Sequence, residues 1–329
     1  MPNIKKVAEY AGVSIATVSR VLNGQKTVSP QTRIKVEKAI KQLNYEPSIL
    51  GRNLRNSETR LLLVLIPNFS NPFYSKIING IENTALKSNY NILLCETDSN
   101  PEREKIYFDL ARKKMADGII SMDPQVDKDT LIEMAEKHSI IQCSEYTLNS
   151  TIPYVTIDNE NAAYLAIKHL LSLGHSKIAF INSDVKFTYA RQREAGYKRA
   201  LDEAGIDAKS DWIYYSQELD FVNGQQAMKK FLNLDEKITA IFAVSDLLAI
   251  GALKEINNNK LSVPDDIAVV GFDKIEFSSM TNPTLTTIEQ PMYKMGNIAA
   301  KMIIEKIQGK EVENVILDHE LVIRESTLG

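Results

Sequence analysis

Cysteine is nearly absent: Cys95 and Cys143 are the only two in 329 residues, and four histidines are scattered along the chain. That scarcity argues against a zinc site. Both cysteines fall in apolar runs and read as small core residues, which suits a reducing cytoplasm. His175, directly after Gly174, reads as part of a helix C-terminal cap. No apolar run approaches the roughly 20 residues that a membrane span needs, and the N-terminus is basic without the pattern of a signal peptide. Sequences of the type G-x-x-x-x-G-K-[ST], G-x-G-x-x-G and G-x-S-x-G are missing. An enzyme built on a phosphate cradle or a nucleophile elbow is therefore not visible, and no cofactor is expected.

What is present is charge, unevenly placed. Residues 1–60 hold 11 Lys and Arg against 4 Asp and Glu, a net of +7, while the remainder is at −10 and the whole at −3. A small cationic module on an acidic body is the balance expected of a DNA-binding head on a ligand-sensing core. Within the head, Ile4, Val7, Ala8 and Ala11 recur at helical spacing. Gly12 breaks the run, and Ser14 can cap a second helix. Val18, Val21 and Leu22 face inward there, leaving Ile15, Ala16, Thr17, Ser19 and Arg20 outward. Two short helices joined by a tight turn make a helix-turn-helix. A third helix follows, with Ser29 as N-cap, Pro30 at its first position and Val36, Ala39, Ile40 and Leu43 as its core stripe.

VAEYAGVSIATVSRVLNG and VSPQTRIKVEKAIKQLNYEPS closely resemble the headpiece of the lactose/galactose repressor (LacI/GalR) family of bacterial transcription factors. The resemblance continues through IPNFSNPFYSKIINGIE, VTIDNENAA, LGHSKIAFI, PDDIAVVGFD and LTTIEQPMYKMG, so it spans essentially the whole chain. It implies a second helix lying in the major groove, with operator choice set at Ile15, Ala16 and Arg20. Arg20 can offer two donors to guanine, whereas Ile15 and Ala16 can only touch thymine methyls or fill space. Ser14, Thr17, Ser19 and Asn23 are placed to meet phosphates, which fixes register without reading sequence. The resemblance also implies a hinge helix within residues 47–60 that lies in the minor groove. Leu54 matches its wedge residue and Leu50 would meet its symmetry mate, with Arg52 and Arg55 as phosphate contacts. Gly51 stands where relatives often carry alanine.

From Leu61 onward short apolar runs alternate with helical stripes. LLLVLI precedes a helix over Phe73–Lys87, NILLC one over Pro101–Met115, and GII one around Thr130–His138. IIQC and YVTID follow, and the alternation restarts with Ala162–Leu173 and KIAFI. Such alternation predicts parallel sheets flanked by helices. About 270 residues exceed one comfortable core, so two lobes are expected. The resemblance places the passages between lobes near Asp158–Asn159, Glu289–Gln290 and Asp318. The reading is then a helical headpiece over 1–46, a hinge helix or linker over 47–60 and a two-lobed, periplasmic-binding-protein-like α/β core over 61–329. One lobe takes about 61–158 and 290–317, the other about 159–289 and 318–329.

Ligands of open parallel sheets bind beyond the carboxyl ends of the strands. Those ends read Asn68–Phe69, Asp98, Ser121, Ser144–Glu145, Asn182–Asp184, Ser245–Asp246 and Phe272–Asp273, polar tips suited to a small polar ligand. The resemblance makes Arg193 the arginine that holds an effector's hydroxyls or carboxylate and Asp273 its acidic counterpart. Phe73 and Tyr74 would stack on or enclose the effector, with Ser144, Glu145 and Ser245 as further contacts. Ser245 replaces an asparagine common in sugar-responsive relatives, and Leu219 lies near where many place a stacking aromatic. A sugar or sugar derivative is expected, with a purine or phosphorylated sugar open. Lys301, on the helical stripe over Pro291–Gly309, could meet a serine-phosphorylated phosphocarrier protein of the kind that docks on catabolite regulators, although Lys294 departs from their acidic residue. Without a leucine heptad tail, a homodimer on a near-palindromic operator is expected. The function expected is a cytoplasmic, effector-controlled repressor of a carbohydrate-utilisation operon, with a global catabolite regulator or a purine-responsive repressor as alternatives.

Overall fold

The computed structural model of the chain describes residues 3–22, 24–25, 27–45 and 58–328. Asn23, Leu50, Arg52, Leu54 and Arg55 lie outside the described residues. The chain divides into two compact units, Met1–Thr59 and Arg60–Gly329.

In the first unit, α1 (Ile4–Ala11) begins on Asn3, whose side chain accepts the Lys6 N–H, and ends on Gly12 at φ 63°. That left-handed conformation carries no steric penalty for glycine, and the Gly12 N–H satisfies carbonyls of the last turn. Helix α2 (Ile15–Leu22) is held at its start by Ser14, whose Oγ accepts the Thr17 N–H at 3.2 Å. Helix α3 (Pro30–Gln42) starts on Ser29, which accepts from Thr32, with Pro30 where a missing N–H costs nothing. Val7, Ala8, Val18, Val21, Val36 and Ala39 form one core, with Ile4, Ala11, Leu22, Ile40 and Leu43 packed around it.

The second unit holds two six-stranded sheets. One runs in the order β11-β5-β4-β3-β1-β2 and is parallel throughout. Its strands are β1 (Leu61–Ile66), β2 (Asn91–Glu96), β3 (Gly118–Ser121), β4 (Ser139–Cys143), β5 (Tyr154–Ile157) and β11 (Val315–Leu317). The other has the order β12-β10-β9-β8-β6-β7. It comprises β6 (Ile178–Ser183), β7 (Ile213–Ser216), β8 (Ala240–Ala243), β9 (Ala268–Asp273), β10 (Thr286–Glu289) and the antiparallel edge strand β12 (Glu320–Val322). LLLVLI and AVVGFD are apolar along most of their length because helices cover both faces of a parallel sheet.

Helices α4 (Pro72–Lys87), α5 (Pro101–Arg112), α6 (Lys128–Lys137) and α11 (Met292–Ile307) belong to the first lobe. The second has α7 (Asn159–Ser172), α8 (Thr188–Glu203), α9 (Phe221–Leu232) and α10 (Asp246–Asn258). Six of these eight start on their own Asn, Asp or Ser cap: Asn71, Asn100, Asp127, Asp158, Asp220 and Ser245. Helices α8 and α11 have no such side-chain cap. The chain leaves the first sheet after β5, returns after β10 and leaves again between β11 and β12, so it passes three times between lobes. Cys95 and Cys143 are buried and unpaired, and burial pushes their thiols up to about 11 and about 12. No helix among the described residues is long and apolar enough to cross a membrane.

Candidate functional site

Two places gather the residues expected to act. On α2, Ile15, Ser19, Ala16 and Arg20 fall within an arc of about 140° at the helical spacing, opposite Val18 and Val21. Ile15 is 45% exposed although apolar, and Ala16 and Arg20 are exposed beside half-buried Thr17 and Ser19. A methyl-rich edge next to a free-reaching guanidinium can press on thymine methyls and donate to guanine. The Ser14 and Thr17 hydroxyls lie 2.9 Å apart at the N-terminus of the helix, where backbone N–H groups also favour a phosphate.

The second place is a cavity of about 250 Å³ between the lobes. Each sheet has the order 2-1-3-4-5 in its five main strands, and the cavity opens at the carboxyl ends where that order reverses. Asn68, Asp98, Asp123, Ser144 and Glu145 approach from one lobe, and Ser183, Asp184, Lys186 and Glu218 from the other. Tyr74, Phe187 and Tyr189 supply aromatic walls, with Leu219 beside them.

Asp123 is only 3% exposed. It accepts from Ser99 at 2.9 Å, Thr97 at 3.2 Å and Gln125 at 2.6 Å, and burial still raises its carboxyl above the usual range. Burial also raises Glu145, to about 7, against the N–H groups of Thr188 and Tyr189 that favour its charge. The Tyr74 hydroxyl is held well above its ordinary value by burial and by the charges of Asp123, Asp273 and Glu145. Lys186 lies 4.8 Å over the Phe187 ring, and the Tyr189 hydroxyl donates to Ser183 at 3.0 Å. Such a chamber can accept hydroxyl and amine hydrogens at several points while stacking on an apolar face. Among the described residues no group of His, Cys, Asp and Glu is placed to hold a metal ion.

Tyr74, Ser144 and Glu145 therefore line the cavity, and Phe73, Arg193, Ser245 and Asp273 do not. Phe73 points into the first lobe's core and meets Tyr74 edge-on at 5.2 Å. The Ser245 hydroxyl is spent on capping α10, accepting from Leu248 at 3.3 Å. Arg193 is 4% exposed. Its guanidinium lies 3.5 Å over Phe272, and it donates to Asn159 at 3.0 Å and to the Val244 carbonyl at 2.5 Å. Asp273, at φ 111°, accepts from Gln290 at 2.7 Å. Burial raises its carboxyl to about 7, against the pull of the Arg193 charge. The Arg193 guanidinium also lies 4.9 Å from the Tyr189 ring. Sequence reasoning missed Asp123, Lys186, Phe187 and Tyr189, each two or more residues beyond a strand end; the polar tips at Ser121 and Asp184 were the available signal.

The model of the LacI family of bacterial regulatory proteins matches residues 3–48, and that of periplasmic binding proteins and the sugar binding domain of the LacI family matches residues 59–325. The chain belongs to the LacI family. Among LacI-family relatives, the transcriptional regulator RegA of Clostridium saccharobutylicum is 37% identical over 331 residues, covering 99% of both chains. Catabolite control protein A of Priestia megaterium is 36% identical over 98% of both. The crystal structure of the lac repressor dimer bound to operator and the anti-inducer ONPF superposes with a TM-score of 0.89 at 29% identity, covering 100% of this chain and 99% of that one. As a LacI-family member the chain is a DNA-binding transcriptional regulator with an effector-binding core.

Proposed function

We propose that this regulator represses a carbohydrate-utilisation operon and that a sugar or sugar derivative in the interlobe cavity controls its grip on the operator. The observation that carries the reading is the lining itself. Carboxylates and hydroxyls alternate with Tyr74, Phe187 and Tyr189, the pairing that accepts a sugar's hydroxyl hydrogens and stacks on its C–H face. Two copies would place two α2 helices on the halves of a near-palindromic operator in the cytoplasm. Ile15, Ala16 and Arg20 would meet bases, Ser14, Thr17 and Ser19 phosphates. Asn23 and the hinge residues Leu50, Arg52, Leu54 and Arg55 would complete the contact. Lobe movement coupled to DNA by about 1–3 kcal/mol would change affinity roughly 5- to 150-fold.

A thermal-shift screen over sugars, sugar phosphates and purines, followed by operator titration with each hit, tests the reading. A neutral sugar should raise the melting temperature and alter operator affinity; a hit confined to purines would overturn it. The similarity to catabolite control protein A supports a second reading, control by a phosphocarrier protein near the exposed Lys301. Pull-down with the serine-phosphorylated and unmodified carrier separates the two.

A further inference from the structure

Among the described residues, helix α8 is the one helix facing the cavity whose N-terminus has no side-chain cap of its own. Phe187 occupies the cap position and provides no side-chain acceptor. The acceptor comes from the opposite lobe. Glu145 Oε1 takes the Thr188 N–H at 2.6 Å and Oε2 the Tyr189 N–H at 3.2 Å. Tyr146 adds two more links, its carbonyl accepting from the Thr188 hydroxyl at 2.8 Å and its own hydroxyl from Gln192 at 2.8 Å. Away from the passages of the chain, no other hydrogen bond joins the lobes among the described residues.

The positive end of a helix is where a phosphate or carboxylate would dock. Here a protein carboxylate that is itself 6% exposed already fills it. The other cationic group on the cavity wall is Lys186, set among Asp98, Asp123, Asp184 and Glu218. Arg193 is engaged behind the wall by Asn159 and Val244. An anionic ligand would therefore meet carboxylates and find its natural seat taken.

We propose that Glu145 is a latch across the cleft which, by capping α8 from the opposite lobe, restricts the effector to uncharged or amine-bearing, hydroxyl-rich molecules and rejects phosphates and carboxylates. The proposal rests on the cavity's being the effector site, but its test needs no effector.

Hydrogen exchange on the full-length chain at about pH 8, where the Glu145 carboxyl, raised to about 7, is ionised, reads the latch. In Glu145→Ala the amides at the start of α8 should exchange at least about tenfold faster, with both hydrogen bonds to the Glu145 carboxylate lost, while α1 and α2 stay as in the parent. Millimolar inorganic phosphate should then raise the melting temperature of Glu145→Ala beyond sodium chloride of equal ionic strength, and leave the parent unmoved. Unchanged exchange in the variant overturns the latch. A phosphate shift equal in both proteins, or absent from the variant, overturns the selection against anions. Should Glu145→Ala fail to fold, Glu145→Ser, too short to reach the two N–H groups and leaving their seat open, carries the same two readouts. A sugar screen without hits would count against the effector reading and leave these results standing.

Discussion

A β-carbon on Gly296 would lie 1.9 Å from the Ile77 carbonyl oxygen, and one on Gly80 would lie 2.2 Å from that of Tyr293. Helices α4 and α11 thus meet backbone to backbone, at a distance that no side chain permits. Both obstacles are main-chain atoms, so neither can swing aside. Gly296→Ala should destabilise the two-lobed unit by about 1–3 kcal/mol, the usual range for overpacking, read as a lowered urea midpoint; an unchanged midpoint would mean that the helices part easily. Arg20 is the contrasting case, exposed and tied to no packing. Arg20→Ala should leave stability unaltered and cost about 1–3 kcal/mol of operator binding if it reads guanine. Titration against operators changed at single base pairs checks this: a loss equal on every sequence would assign Arg20 to phosphate instead.

At the scale of elements, the alternation of apolar runs and helical stripes was legible because strands covered on both faces leave continuous hydrophobic stretches. Boundaries were less so. The helix from Pro101 reads as reaching Met115 but stops at Arg112, with Lys114 turning the chain at φ 54°. Nothing in the apolar period marks that turn, because Lys113 and Lys114 suit helix and loop alike. The cavity wall was half legible for a related reason. Strand ends point to Ser144 and Glu145 directly, whereas Asp123, Lys186 and Tyr189 reach the wall through loop paths that no periodicity encodes. Ser245 is ambiguous in the sequence, since a polar residue at a strand end serves a helix cap as readily as a ligand, and its hydroxyl caps α10. Caps can be weighed singly: Ser29→Ala should cost about 1 kcal/mol, seen as a lower melting temperature of the headpiece and none for the core.

At the scale of the molecule, buried carboxyls set a pH dependence, with three of them raised to about 7. Glu104, Glu145 and Asp273 are each raised to about 7, chiefly by burial, from ordinary values of 4.5, 4.5 and 3.8. The folded chain therefore holds protons that the unfolded chain releases. Their stabilisation is complete below the unfolded values and is lost as pH rises through about 7, by up to about 1.4 kcal/mol per pH unit for each group. The core's melting temperature should fall from about pH 4.5 to about pH 7 and level off above that, and Glu104→Gln should flatten the slope. A slope identical in both proteins would sink this account. The cationic head, at +7, predicts the salt response: operator affinity should drop steeply and log-linearly with salt, and a flat titration would deny phosphate contacts.

The threefold passage between lobes has a consequence for any attempt to halve the protein. A fragment ending at Ile157 would carry five strands of the first sheet but neither α11 nor β11. Its α4 would then show water the seam around Ile77 and Gly80 that α11 normally seals. Neither clamshell half is a contiguous stretch of gene, so a single cut cannot release either one intact, and complementation would require both pieces to assemble together.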